Sequence, residues 1–378
     1  MTIKNVKLKN ILNSAGSWTL EVTIETDNGY SGSFSVPGGL SKGTSEVATV
    51  DFKTARKNLD ELMDDLTSYN FKTQNEFDEF LIEKDGTKDK SNLGGNLMLG
   101  LSAAFAAAAA NAAELELYEY IHNLINPDIP LNNIQFKQPK LMGLIFEGGA
   151  HGSGLASIQE FMVMTESIER LVEIYNKAKK FLKENNEGTD VGAEGAFSPS
   201  KFNNEEVVKT LESFLNEDEY IALDVAANTI KEEFLEMPDY ETLITNYKIS
   251  SIEDPYPEDM WNEWATFYRN YRADVTVVTD DLTTTNPEIL EKAIKDQVGN
   301  GIIIKPNQIG TITETLKTIK LAQEANWSVI VSHRGTDTNT SFIADLAVGA
   351  HADFVKFGAP CRGERIAKYN RLLEIFNK

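Results

Sequence analysis

A single cysteine, Cys361, leaves these 378 residues no means of building an internal disulfide framework, which fits a reducing compartment. Positive charge is also scarce: 36 Lys and Arg stand against 58 Asp and Glu, a formal net charge of −22 at pH 7. That balance argues against a nucleic-acid or anionic-membrane partner and fits a soluble cytoplasmic protein. No apolar run reads as a membrane span. The most apolar stretch, Leu97 to Ala113, contains nine alanines and Asn111 and is followed by Glu114, the pattern of a helix packed closely on a neighbour. The opening residues MTIKNVKLKN are polar and lack the apolar core of a signal peptide. The acidity sets a condition as well, because a site for an anion has to be made positive locally, by metal or by clustered cations.

Residues 3–36 alternate apolar and polar positions, with DNG at 27–29 between LEVTIET and YSGSFSV, which predicts a hairpin. The segment PGGLSKGTS at 37–45 is a Gly-rich loop that does not match the phosphate-loop spacing. Helical patterns fill about 51–82 and 93–125, so residues 1–125 read as an α+β unit. INPDIPLNN at 125–133 has the composition of a linker, and the domain division is placed there, leaving residues 126–378 for the second unit. FEGG (146–149), QEFMVM (159–164) and DVGAEGAF (190–197) read as further strand ends.

In the C-terminal half, six strand-like runs each stop at an ionisable residue: YIALD (Asp224), ISSIE (Glu253), VTVVTD (Asp280), GIIIK (Lys305), SVIVSH (His333) and ADFVK (Lys356). The steps of 29, 27, 25, 28 and 23 residues fit one strand, one crossover helix and two short loops. Apolar runs of this kind suit strands buried on both faces. Charge confined to their ends places reactive groups at the C-terminal mouth of an α/β barrel. Asp224, Glu253 and Asp280 would converge if their strands are neighbours, and three oxygen ligands suit a hard divalent cation such as Mg²⁺. Each acid could instead cap the following helix or pair with a neighbouring lysine. Asp254 and Asp281, next door, read as holders of backbone or outer groups. Lys305 can serve as a base only if burial or nearby cations lower its pKa, and Lys356 in the same mouth is one such cation. Arg334 suits recognition of phosphate or carboxylate, with His333 beside it. His151 lies in EGGAHGSG, a loop able to move over a ligand. Glu160 and Glu194 are candidate general acids if their pKa values are raised.

These residues bring a family into view. The chain resembles the enolases along nearly its whole length, through DGTKDKSN with LGGNLMLGLS, GGAH with IQEFM, VGAEGAF, IALDVA, SIEDP, DDLTTTNP, IKPNQIGTITET, VSHR with FIADLAVG, and APCRGERIAKYNRLL. The resemblance implies a modified TIM (β/α)8 barrel whose first units break strict alternation, under an N-terminal α+β capping domain with a mobile Gly-rich loop. It implies Mg²⁺-dependent, reversible dehydration of 2-phosphoglycerate to phosphoenolpyruvate. On that pattern Asp224, Glu253 and Asp280 hold one Mg²⁺, and Ser41 helps hold a second that arrives with substrate. Lys305 is the base at carbon 2, Glu194 the acid that assists loss of the 3-hydroxyl, and Glu160 its partner. Lys356 faces the substrate carboxylate, Arg334 the phosphate, and His151 and His333 contact substrate. The superfamily is a known case of a Lys or His base working with Mg²⁺. A cytoplasmic homo-oligomer, a dimer or larger, is implied too.

Several positions depart from the family pattern. Ala193 and Ala196 flank Glu194 where the family has Asp and Gly. Gly335 stands where a serine follows His-Arg, Glu147 replaces an Asn before GGAH, PGGLSKG replaces PSGASTG, and NSAGSWT replaces DSRGNPT. Glu147 is expected to add negative charge near the ligand if it points inward. These changes keep two alternatives in play: an enolase-like lyase with a shifted substrate, and a catalytically impaired relative acting as a binding protein.

Overall fold

In the computed structural model, which describes residues 1–39, 43–152, 154–230 and 239–377, the N-terminal alternation becomes a three-stranded antiparallel sheet. Its strands are β1 (Ile3–Leu12), β2 (Trp18–Thr26) and β3 (Ser31–Ser35), with the expected turn at 27–30 joining the last two. Leu20, Val22 and Ile24 of β2 point to one face, as a two-residue period requires. Four helices cover that face or extend from it: α1 (Phe52–Ser68), α2 (Gln74–Asp85), α3 (Gly95–Ala112) and α4 (Leu117–Ile125).

The alanine run is α3, and its small side chains let it lie directly on β2 and β3. A Cβ at Gly32 of β3 would stand 2.2 Å from the Ala108 nitrogen and 2.3 Å from the Ala104 oxygen. Among the described residues α3 alone is long and apolar enough to cross a membrane, and 72% of it is buried within the protein.

The remaining strands close into a barrel. They are β4 (Lys140–Glu147), β5 (Glu160–Thr165), β6 (Tyr220–Asp224), β7 (Ile249–Glu253), β8 (Thr276–Thr279), β9 (Gly301–Ile304), β10 (Ser328–Ser332) and β11 (Phe354–Lys356). The order around the barrel is β10-β11-β4-β5-β6-β7-β8-β9. From β6 onward each strand is followed by a helix and returns parallel to the last. The start is different. β4 and β5 pair antiparallel, β5 and β6 pair antiparallel, and two helices, Ile168–Glu184 and Asn204–Glu212, separate β5 from β6. β5 is therefore the one reversed stave.

That reversal corrects the reading of QEFMVM as a strand that ends at the mouth. Glu160 opens β5, and because β5 runs backward its first residue is level with Glu147 of β4 and Asp224 of β6. DVGAEGAF forms no named strand. It is a loop held by single bridges, Val191 with Phe197 and Phe146 with Phe197.

The capping unit is fastened to the barrel at the N-terminus of helix Ile312–Glu324. Asp78 of α2 accepts the Thr313 N–H at 2.9 Å, Ser102 of α3 accepts the Ile312 N–H at 2.9 Å, and Lys90 pairs with Glu314 at 2.8 Å. Burial pushes the Asp78 carboxyl up to about 6, although Ser102, Thr313 and Gln74 all favour its ionised form.

Two outcomes follow from this packing. Gly32→Ala forces α3 off the sheet and should cost about 1–3 kcal/mol in a denaturant titration. Asp78 binds its proton more tightly folded than unfolded, so its contribution is complete below about pH 4 and is lost as pH rises to about 6. Asp78→Asn keeps an acceptor for Thr313 without that titration, and the melting temperature of the variant should gain on the parent between those two pH values.

Candidate active site

Asp224 ends β6, Glu253 ends β7 and Asp280 directly follows β8, so the three predicted ligands stand on three adjacent staves. All three are at least 93% buried, with exposures of 5, 2 and 7%. Lys356, at the end of β11, reaches across the mouth. Its ammonium lies 2.7 Å from Asp224 Oδ2, 2.7 Å from Glu253 Oε2 and 3.2 Å from Glu160 Oε2. Burial alone would lower the Lys356 pKa, but Asp224, Glu160 and Glu253 outweigh it and hold the amine well above its ordinary value.

Lys305 follows β9 and its ammonium is hydrogen-bonded to Asp280, while Gln308 donates to the other Asp280 oxygen at 2.9 Å. Lys305 was expected to be shifted downward. Burial, Arg334 and Lys356 do pull it down, but Asp280 and Glu253 prevail and the net displacement is upward. The cause is the acidity of the mouth: each cation there faces more than one carboxylate.

The donor chemistry fits a hard divalent cation. The three acids offer only oxygen, and the buried Oε1 of Glu253 lacks a hydrogen-bond partner in the protein. Among the described residues two groups have ligand atoms within 4.8 Å of one another, and neither is the predicted set of three: Asp254 with Asp280 and Asp281, and His151 with Glu160 and Glu194. In the first, Asp254 is already engaged, its two oxygens accepting the Asp280 N–H at 2.9 Å and the Asp281 N–H at 3.0 Å. That is the backbone-holding role expected of it. Burial and Asp280 push Asp281 up to about 7.

The second group forms the opposite wall. Burial, with Glu194 and Asp224 nearby, raises Glu160 well above an ordinary carboxyl despite the opposing Lys356. At Glu194 burial is outweighed by the surrounding cations, Arg365 and Lys356 among them, and the carboxyl is held low. The two carboxyls are therefore displaced in opposite directions, Glu160 upward and Glu194 downward. His333 is kept neutral by burial and by Arg365, with Nε2 3.6 Å from Glu194 Oε2. His151 is half-buried at the rim, and its Nδ1 has no protein partner. Arg334, 4% exposed, faces the same cleft, as do Gly335 and Glu46. The structure thus gathers every predicted site residue it describes; Ser41 lies outside the described residues.

The model of "Enolase, N-terminal domain" matches residues 3–121, and that of "Enolase, C-terminal TIM barrel domain" matches residues 136–239 and 228–378. This chain belongs to the enolase family. Its reversed second barrel strand and its capping sheet are accordingly the fold of that family, and a lyase that binds a divalent metal is the general expectation.

Within that enolase frame, the residues that depart from the family pattern take definite places. Ala196 is buried and Ala193 exposed on either side of Glu194. The carbonyl of Gly335 accepts from Arg365 at 2.8 Å, which fixes the backbone where a serine hydroxyl is missing. Glu147 was expected to bring negative charge. Instead it is 2% exposed, neither carboxyl oxygen has a hydrogen-bond partner, and burial and Glu194 push it up to about 8. It is a neutral acid at pH 7. Gly192 makes room for it, since a Cβ there would lie 1.4 Å from Glu147 Oε1.

Sequence reasoning passed over Glu46 and Gln308. Neither ends a strand nor sits at a ligand spacing, and only the fold brings them to Arg334 and Asp280.

Glu147 makes a checkable case. Its folded pKa lies above its unfolded value, so its stabilising contribution is complete below about pH 4.5 and fades as pH rises through about 8. Glu147→Gln removes the titration at nearly constant volume. Melting curves should show the variant gaining on the parent from about pH 4.5 to about pH 8, with no gain below pH 4.5.

Proposed function

We propose that this enolase-family protein is a Mg²⁺-dependent lyase that interconverts 2-phosphoglycerate and phosphoenolpyruvate. One observation carries the reading. In the barrel order, β9, which leads into Lys305, lies four staves from β5, which begins with Glu160. An amine and a pair of buried carboxyls therefore face each other across the mouth, with three metal-type carboxylates on the staves between them.

Dehydration of a 2-phospho-3-hydroxy acid needs that opposition. The Lys305 amine takes the proton from carbon 2, and the Glu160–Glu194 pair supplies a proton to the departing 3-hydroxyl, so acid and base do not compete for one site. Asp224, Glu253 and Asp280 would hold the first Mg²⁺ and Ser41 would join the second; their charge would stabilise the negative charge that develops on the substrate carboxylate. Neutralisation of Asp280 by a bound cation would also relieve the restraint that keeps Lys305 protonated. Arg334 would receive the phosphate, Lys356 the carboxylate, and His151 and His333 would complete the walls. Because Lys356 and Lys305 are already engaged by acids, ligand binding exchanges partners inside the mouth and adds no bare charge.

The absent hydroxyl at Gly335, on the cleft wall, favours a second reading in which a related phosphorylated or carboxylated 3-hydroxy acid is preferred. We place the domain division between residues 125 and 126, and we read the protein as cytoplasmic and homo-oligomeric.

The deciding experiment is turnover of 2-phosphoglycerate over a Mg²⁺ titration, followed by phosphoenolpyruvate absorbance. The parent should turn over only with metal, and Lys305→Ala should fold normally yet lose roughly 10³-fold or more of kcat. Absence of turnover in the parent, or turnover only of other hydroxy acids in a substrate panel, removes the glycolytic reading.

A further inference from the structure

Glu46 comes from the capping unit, just beyond the Gly-rich segment, yet its side chain is only 5% exposed and lies in the barrel mouth. It engages both terminal nitrogens of Arg334. Oε1 accepts from Nη2 at 3.0 Å, and Oε2 accepts from Nη1 and Nη2 at 3.2 Å each. Asn307 Oδ1 accepts from Nη1 at 3.2 Å. A guanidinium gripped in this forked way cannot turn without breaking several charge-assisted bonds together.

The same carboxylate is tied to the rest of the mouth through one side-chain amide. Gln308 Nε2 donates to Glu46 Oε1 at 3.4 Å and to Asp280 Oδ1 at 2.9 Å. Gln308 Oε1 in turn accepts from Thr285 at 2.8 Å, and the Thr285 hydroxyl accepts the backbone N–H of Lys305 at 2.9 Å. A single residue of the capping unit thus connects the arginine, a metal-type carboxylate and the backbone of the lysine.

We infer that Glu46 is a positioning residue: it fixes Arg334 for an anionic group of the substrate and sets Asp280 through Gln308. This rests on the reading of Arg334 as an anion ligand. The physical need is plain in so acidic a mouth. Arg334 already acts on Asp280 through space, and without a dedicated partner it would be drawn onto the carboxylates of β6 to β8. Glu46 holds the guanidinium on the capping side of the cleft, where a phosphate can reach it without displacing a metal ligand.

The test uses the full-length protein with inorganic phosphate plus Mg²⁺ by calorimetry, and 2-phosphoglycerate by steady-state kinetics. Glu46→Gln removes the charge while keeping the shape. It should weaken phosphate binding about 10-fold and raise KM by a similar factor, with a smaller effect on kcat. Glu46→Asp keeps the charge on a shorter arm and should recover part of both losses; it also serves if the glutamine variant fails to fold. Tighter phosphate binding by Glu46→Gln would mark Glu46 as a competitor of the ligand and overturn the inference. A lowered melting temperature with unchanged KM and phosphate affinity would reduce it to a structural tie, which overturns it too. A parent that neither turns over nor binds phosphate defeats the underlying reading and this inference together, whereas a competent parent with an indifferent Glu46→Gln defeats the inference alone.

Discussion

The mouth of this barrel depends on mutual neutralisation between buried carboxylates and two lysines from other staves. Asp224, Glu253 and Glu160 meet at Lys356, and Asp280 is bound to Lys305. Placing such charges at a few per cent exposure is costly unless each is matched by close partners. Lys356 ties β11 across the mouth to β5, β6 and β7, none of which is its ladder neighbour, whereas Lys305 joins Asp280 between the adjacent β9 and β8. The chain as a whole carries a net charge of −22. The excess acidity lies mostly elsewhere, while the mouth carries its own cations, Lys305, Lys356 and Arg334, each held by acids that a metal or a substrate can take over.

The reversal of β5 decides the chemistry of the opposite wall. A strand in the ordinary sense would have carried Glu160 to the far end of the barrel. Reversed, it brings Glu160 level with Asp224 and beside Glu194, whose loop is pinned by the bridges to Phe197. Burial and the neighbouring Glu194 then push Glu160 upward, while nearby cations hold Glu194 low. Burial likewise turns Glu147 from an added charge into a neutral acid. Departures around the site are therefore milder electrostatically than their residue types suggest.

The capping unit contributes more than a cover. Asp78, Ser102 and Lys90 secure it to one barrel helix, and Glu46 enters the mouth itself. Ser14 adds a further tie, accepting the Asp337 N–H at 3.0 Å, and Asp337 pairs with the buried Lys368 at 3.2 Å. The altered NSAGSWT segment is thus linked to the loop that follows Arg334.

Much was legible in the sequence because burial on both faces leaves a mark along a strand. The apolar runs before Asp224, Glu253, Asp280, Lys305, His333 and Lys356 announced parallel staves, their spacing announced the helices between, and the alanines of α3 announced close packing on a sheet. A strand end is also where the apolar run stops, so ionisable residues there could be picked out one by one. Three things could not be read that way. Strand direction left no trace in QEFMVM, since an alternating or apolar run looks the same in either sense. Protonation depends on neighbours distant in sequence, which is why Lys305 and Glu147 differed from expectation. Glu46 and Gln308 are ordinary polar residues until the fold brings them to Arg334 and Asp280. The sequence by itself determined which residues are buried and at what period. Only the tertiary structure decided which charges face one another, because Coulomb energies and hydrogen bonds depend on distances through space that no local pattern encodes.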